Sequence, residues 1–240
     1  MIGGVDNELG KIRNLLKAKG IEDNTIIIWM GDNGYFLGER QMAGKWLMYD
    51  NSIRVPLIIF DPRVNQHHDV DDMVANVDLA STILDFAGID GKLKTHGNSL
   101  VPYVKTGQSP YKREELLIEH LWEFEPIPPS EGIRTEKWKF MRYRNIEAKE
   151  ELYDLRNDPW ELHNLVDDPN HAKTLQKMRK TLNQWIRETG DLGQNVEPMK
   201  MYDSDMKVYL DGLANRGRGD RLQEIKSNIA QMKKWWKEGK

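Results

Sequence analysis

Asp32 and Asn33 stand directly after an unbroken apolar run, Thr25-Ile26-Ile27-Ile28-Trp29-Met30, and are flanked by Gly31 and Gly34. A carboxylate beside an amide carbonyl offers hard oxygen donors, which suit Ca²⁺ or Mg²⁺ better than a soft metal. The two glycines let the backbone bend tightly and approach a ligand closely. Asn-Gly after a strand is also the signature of a type I′ hairpin. A plain hairpin would return at once as a second strand, whereas this chain enters a loop containing Gly38, Glu39, Gly44 and Lys45. Lys45 is framed by Gly44 and Trp46 rather than by other charges, unlike the solvated surface lysine that is the ordinary alternative. Together these residues read as half of an anion-processing metal site.

The run before Asp32 shows no alternation, which predicts a strand covered on both faces, as in a parallel α/β sheet. Such strands deliver chemistry at their carboxyl ends. Residues 1–19 predict a helix with Val5, Leu9, Ile12, Leu15 and Leu16 on one face and Gly20 as its stop. Asp78 is expected to N-cap a packing helix over 79–87, with Leu79, Ile83, Leu84 and Ala87 as its stripe and Gly88 as its end. His67-His68-Asp69 is read as a solvated loop, since adjacent histidines point different ways.

From Leu116 the pattern changes to three expected strands, 116–120, 133–143 and 152–155. The 121–130 connection holds Pro126, Pro128 and Pro129, too many for a strand. His120, at a strand end beside it, is open to substrate contact or to a structural, hydrogen-bonded role. Residues 156–159 form a turn, and Asp168-Pro169 opens a helix carrying Leu175, Met178, Leu182, Trp185 and Ile186. Residues 216–240 predict a basic amphipathic helix, either solvated or facing a sulfated polysaccharide.

At 240 residues, with 39% hydrophobic and 30% charged side chains, the chain can build a sizeable core and is neither disordered nor membrane-embedded in composition. No stretch approaches the roughly 20 apolar residues that cross a bilayer. Its net charge of −3 gives no reason to expect nucleic acid as a partner. Zero cysteines remove disulfides without fixing the compartment.

Several stretches together carry a resemblance. They are DNG at 32–34, FLGE at 36–39, GK at 44–45, MYDNSIRVPLII at 48–59, NVDLASTILDFAGI at 76–89, GIRTEKWKFM at 132–141 and ELYDLRNDPWELHNL at 151–165. In that order they resemble the C-terminal half of a type I sulfatase of the alkaline-phosphatase-like superfamily. The resemblance implies an α/β fold: residues 1–110 as the C-terminal portion of the catalytic sheet domain, then residues 111–190 as a small α+β subdomain with an antiparallel sheet and a packed helix. A helical basic extension, residues 191–240, follows. It further implies that Asp32 and Asn33 are ligands of an active-site calcium and that Lys45 holds the sulfate group. A lysine suits that task because its ammonium is a compact point charge that meets a tetrahedral anion from any side.

Two departures from the family pattern stand out. Arg40 occupies the place where histidine commonly follows the Gly-Glu pair; it stays charged at every working pH and offers no proton exchange, though it can neutralise an anionic substrate or pair with Glu39. The family's nucleophile, a Cys or Ser followed by x-Pro-x-Arg and converted to formylglycine, has no counterpart: no serine here, including Ser52, Ser99 and Ser109, begins that pattern.

The chain is therefore expected to be a C-terminal piece whose partner half would hold the formylglycine, and to be inactive alone. The missing half or an oligomer contact would cover its exposed sheet. The implied substrate is a sulfated small molecule or polysaccharide, and the implied compartment is periplasmic, secreted or lysosomal. Two alternatives remain: a phosphatase or phosphonate-ester hydrolase of the same superfamily, and a non-catalytic glycan-binding module.

Overall fold

The computed structural model describes residues 2–89, 95–120, 127–144 and 150–189. The basic helix read over 216–240 lies outside them, as do six residues of the 121–130 connection. The chain is mixed α/β and divides into two compact units, one comprising Met1–Asn33 with Arg54–Glu114 and the other Gly34–Ile53 with Glu115–Lys240.

In the first unit, helix α1 spans Ile2–Ala18. It ends where Gly20 adopts φ +65° and its N–H donates to the Lys17 carbonyl, the left-handed stop that glycine accommodates without strain. Strand β1, Ile27–Met30, delivers the Asp32 turn. The expectation of a parallel neighbour does not hold. β1 pairs antiparallel with β4, Leu57–Phe60, in register from Ile27 opposite Phe60 to Met30 opposite Leu57. Every β1 residue is half-buried rather than enclosed, so its uniform apolarity marks partial cover on both faces.

Helix α3 spans Asp78–Phe86, and Asp78 is its first residue, not its cap. The Asp78 carboxylate is fully buried and accepts from the backbone N–H of Ala75 at 2.7 Å, the N–H of Asn98 at 2.9 Å and both terminal nitrogens of Arg113 at 2.6 Å. Burial alone would raise its pKa, but the Arg113 guanidinium and the two backbone donors hold it below the ordinary carboxylate value. The expected stripe is also displaced: Thr82 is buried and Ile83 is 55% exposed. Thr82 Oγ1 donates to the Asp78 carbonyl and accepts from the N–H of Leu100, which opens the short helix α4, Val101–Thr106. Polar stitching, not an apolar stripe, fastens α3 here.

The second unit is built on a four-stranded antiparallel meander of β5 (Glu115–His120), β6 (Ser130–Thr135), β7 (Trp138–Tyr143) and β8 (Glu150–Asp154). Residues 133–143 are thus the end of one strand, a turn and a second strand, where the sequence predicts a single strand. The Thr135 hydroxyl accepts the Trp138 N–H at 2.9 Å and closes that turn without glycine or proline.

Each face of the sheet is covered. Alternation sends Ile133, Phe140 and Leu152 toward helix α5, Ala172–Thr189, whose Leu175, Met178, Leu182 and Ile186 complete a buried cluster. Burying each such side chain contributes on the order of 1.5–3 kcal/mol. A 3₁₀ turn, Pro169–His171, leads into α5, with the Asp168 carboxylate accepting the Asn170 N–H. Met141 and Tyr153, on the opposite face, pack with Phe36, Met48 and Tyr49 of the Gly34–Ile53 segment. The sheet is therefore the floor on which the lysine-bearing segment lies.

Candidate active site

Asp32 lies at the end of the first unit, exposed, with Oδ1 accepting the N–H of Asn33 at 2.9 Å. That bond is local and holds the carboxylate against the turn. The pair presents a carboxylate and an amide oxygen, the donor chemistry a hard divalent cation requires. Among the described residues no group of three or more His, Asp or Glu side chains is placed to hold a metal. Calcium takes roughly six to eight oxygen ligands, so Asp32 and Asn33 fit as one part of a shell and not the whole.

Arg40, Lys45 and His120 all belong to the second unit. Their segment begins at Gly34, whose N–H donates to the Ser52 carbonyl at 2.8 Å. A Cβ there would lie 2.1 Å from the Asn51 carbonyl oxygen, so only glycine permits this approach. Strands β2 (Phe36–Leu37) and β3 (Ala43–Gly44) then pair around a 3₁₀ turn at Glu39–Gln41, and the short helix α2, Asp50–Ile53, closes the segment.

Lys45 follows β3 and is half-buried, its Nζ 5.2 Å from the centroid of the Trp46 ring. Trp46 adopts φ +92°, and its N–H donates to the Ser52 hydroxyl at 3.1 Å. Its ring lies 5.4 Å from that of His120, tilted by 46°. Of the three, His120 and the lysine-bearing loop are thus brought together through an aromatic contact. The buried His120 Nε2 has no hydrogen-bond partner among the described residues, and burial lowers the imidazole pKa below 6.5. His120 meets this loop as a neutral ring.

Arg40 does not pair with Glu39, the arrangement considered from sequence. Glu39 turns back to accept the Leu37 N–H at 2.5 Å. The Arg40 guanidinium lies 4.0 Å above the Tyr49 ring and donates to the backbone carbonyl of Glu161. Beneath it, the Tyr49 and Tyr153 hydroxyls each donate to Glu151 Oε2 at 2.7 Å, and Tyr143 donates to Oε1 at 3.1 Å. Burial and the Glu151 charge push Tyr49 up to about 12, keeping it a donor at neutral pH.

Sequence reasoning passed over Asp50, Lys139 and Glu161. The Lys139 ammonium, 1% exposed, contacts Asp50 Oδ1 and sits 2.6 Å from Glu161 Oε1. Glu161 Oε2 accepts the Asp50 N–H at 2.7 Å, and Arg134 completes the Asp50 carboxylate. Burial would raise the Asp50 pKa, but Lys139 and Arg134 bring it below the usual value. Glu161 is raised, burial outweighing Lys139. A lysine between Trp138 and Phe140 in an apolar strand was the available signal of a buried ion pair.

Residues 38–188, more than half of the chain, match the family described as N-sulphoglucosamine sulphohydrolase, C-terminal. An N-acetylglucosamine-6-O-sulfatase of Bacteroides thetaiotaomicron is 30% identical over 209 residues, covering 85% of this chain and 38% of that protein. Among solved structures, BT4656 in complex with its substrate D-glucosamine-2-N,6-O-disulfate superposes with a TM-score of 0.67 at 30% identity, covering 82% of this chain and 40% of that one. The phosphonate monoester hydrolase of Agrobacterium radiobacter gives 0.69 at 27% identity, covering 78% of this chain and 40% of that one. The chain spans about two-fifths of the length of these relatives.

Proposed function

The chain belongs to the sulfatase family, in its C-terminal region, and from this we propose that it supplies the charge-stabilising half of a site that hydrolyses sulfate esters of a carbohydrate. The observation that carries the reading is the Gly34–Ile53 loop, anchored on the sheet through Phe36, Met48 and Tyr49, with Lys45 half-buried beside the Trp46 ring. Similarity to an N-acetylglucosamine-6-O-sulfatase and to a structure holding a disulfated glucosamine favours an amino-sugar sulfate as substrate class.

In this reading residues 1–110 extend the catalytic sheet domain of the superfamily. Asp32 and Asn33 would hold calcium, which when bound polarises sulfate oxygens. Lys45 gathers the negative charge that builds on those oxygens as the ester bond to sulfur breaks. A half-buried ammonium does this better than a solvated one, because less water screens it. Arg40, stacked on Tyr49, adds fixed positive charge to the loop without exchanging protons. His120, neutral and set at a tilt against Trp46, lends an aromatic edge to which a sugar ring can pack. The attacking group is not among this chain's residues, for it has no cysteine and no Ser-x-Pro-x-Arg. The exposed apolar side chains of α1, Ile2, Val5, Ile12 and Leu15, suit cover by the upstream portion of a longer sulfatase.

Calorimetric titration of the chain with p-nitrophenyl sulfate in calcium tests this reading. Binding that weakens at least tenfold in Lys45→Ala supports it, and equal binding by both forms contradicts it. The likeness to a phosphonate monoester hydrolase favours one second reading, in which a phosphonate monoester occupies the same place. Tighter binding of p-nitrophenyl phenylphosphonate than of the sulfate would select that one.

A further inference from the structure

We infer that Glu161 is a positioning residue for Lys45, gripping the lysine loop on both sides. The inference rests on the sulfate-binding reading of Lys45 for its purpose and on the geometry alone for its existence.

Arg40 and Asp50 each stand five positions from Lys45. Both are held by Glu161, in two different ways. The Arg40 guanidinium donates to the Glu161 main-chain carbonyl, and the Asp50 backbone N–H donates to the Glu161 carboxylate at 2.7 Å. One residue, 111 positions beyond Asp50, thus closes the base of the loop.

Backbone strain points to the same place. Among the described residues only Arg40, Gln41, Trp46 and Glu161 adopt positive φ without being glycine, at +56°, +58°, +92° and +56°. Three of these flank Lys45, and the fourth, Glu161, holds one of the three, Arg40, through its main-chain carbonyl. Left-handed backbone in side-chain-bearing residues persists only where the surroundings over-determine it, and such strain gathers at functional segments. Nothing in the loop's own short β2–β3 pairing over-determines it. Lys139 and Arg134 on the Asp50 carboxylate and Glu151 on Tyr49 are external holds too, but among these Glu161, fully buried with Lys139 beside its carboxylate, is the one residue that meets the loop at both Arg40 and Asp50.

A purely structural carboxylate would, when removed, weaken the whole unit in proportion. A positioning carboxylate loosens the loop first. Hydrogen exchange separates the two, read on the amides of residues 38–50 and, as reference, on those of β7 and α5. In the full chain, Glu161→Ala, which removes the carboxylate hold on Asp50 and leaves the main-chain carbonyl that Arg40 uses, is expected to speed exchange in the loop by about tenfold or more while the reference amides change less than about twofold, as local opening does. Glu161→Gln keeps an oxygen for the Asp50 N–H and is expected to restore most of the protection; it also serves if the alanine form does not fold. Uniform acceleration across loop and reference, or no change in the loop of either variant, overturns the inference.

A second readout separates this from the sulfate reading itself. Acylation of Lys45 by acetic anhydride, mapped by mass spectrometry, is followed with and without p-nitrophenyl sulfate. Absence of protection in the unmodified chain counts against sulfate binding while the exchange result still decides the grip. Protection in the unmodified chain that persists undiminished in Glu161→Ala overturns the positioning role.

Discussion

The Trp46 and His120 rings lie 5.4 Å apart and tie the lysine loop to the end of β5. Burial is the cause of the lowered His120 pKa, so the ring is neutral at pH 7 and its protonation is resisted by the fold. A histidine depressed in the folded state contributes stability that is present above 6.5 and is lost as pH falls through the folded value. Imidazole NMR titration should place its midpoint below 6.5, and Trp46→Ala should move it upward toward that value. A midpoint at or above 6.5 in the unmodified chain would contradict the burial seen here.

Arg113 is the counterpart of a carboxylate with no solvent contact. Its replacement by Met strands the Asp78 charge, and urea unfolding should show a loss of about 3–5 kcal/mol at pH 7. Because the Asp78 pKa is depressed, its contribution holds above 3.8 and disappears as the solution is acidified through the folded value. The Arg113→Met form should therefore show a flatter acid limb than the parent.

Two glycines offer a matched comparison. Gly34→Ala would drive a Cβ to 2.1 Å from the Asn51 carbonyl oxygen, so a loss of about 1–3 kcal/mol or more is expected in denaturant melts. Gly10→Ala meets nothing within 4 Å in the middle of α1 and should stabilise by roughly 0.5–1 kcal/mol. Equal effects would mean that the approach of Gly34 to Asn51 does not exist in solution.

Turnover supplies a further check. On the proposed division of roles, the chain incubated alone with p-nitrophenyl sulfate and calcium should release no p-nitrophenol above background, since its sequence holds no cysteine and no Ser-x-Pro-x-Arg. Steady, calcium-dependent release would refute that division of labour.

What could be read in advance follows from the range of the forces involved. The α5 stripe and the turn after Asp154 depend on residues a few positions apart, and both stand where periodicity and turn chemistry put them. The hairpin at Thr135–Trp138 escaped because Glu136 and Lys137 carry no turn signal, so two strands read as one. The antiparallel partner of β1 lies 27 or more positions away, across the whole lysine loop, and no local pattern in β1 names it. Asp78 has a helix-start residue type, but what it binds is set by Asn98 and Arg113, from distant segments. Asp32, Asn33 and Lys45 stood out as candidates because glycines flank them and a loop rather than a returning strand follows; their roles belong to the proposal. Glu161, embedded in Trp160-Glu161-Leu162, had no such mark: its partners are made by tertiary contact.

The central claim is that Asp32, Asn33 and Lys45 act on one cation and one sulfate group. If so, the cation and the anion must strengthen each other's binding, because the coupling between two ligands is reciprocal. The direct measurement is the rate of Lys45 acylation in p-nitrophenyl sulfate, with calcium or with EDTA, in the unmodified chain and in Asp32→Ala. We expect protection of Lys45 that is stronger in calcium by about fivefold or more, within the usual span of such coupling, and a calcium effect that vanishes in Asp32→Ala. Protection indifferent to calcium, or a calcium effect that survives in Asp32→Ala, would contradict the account.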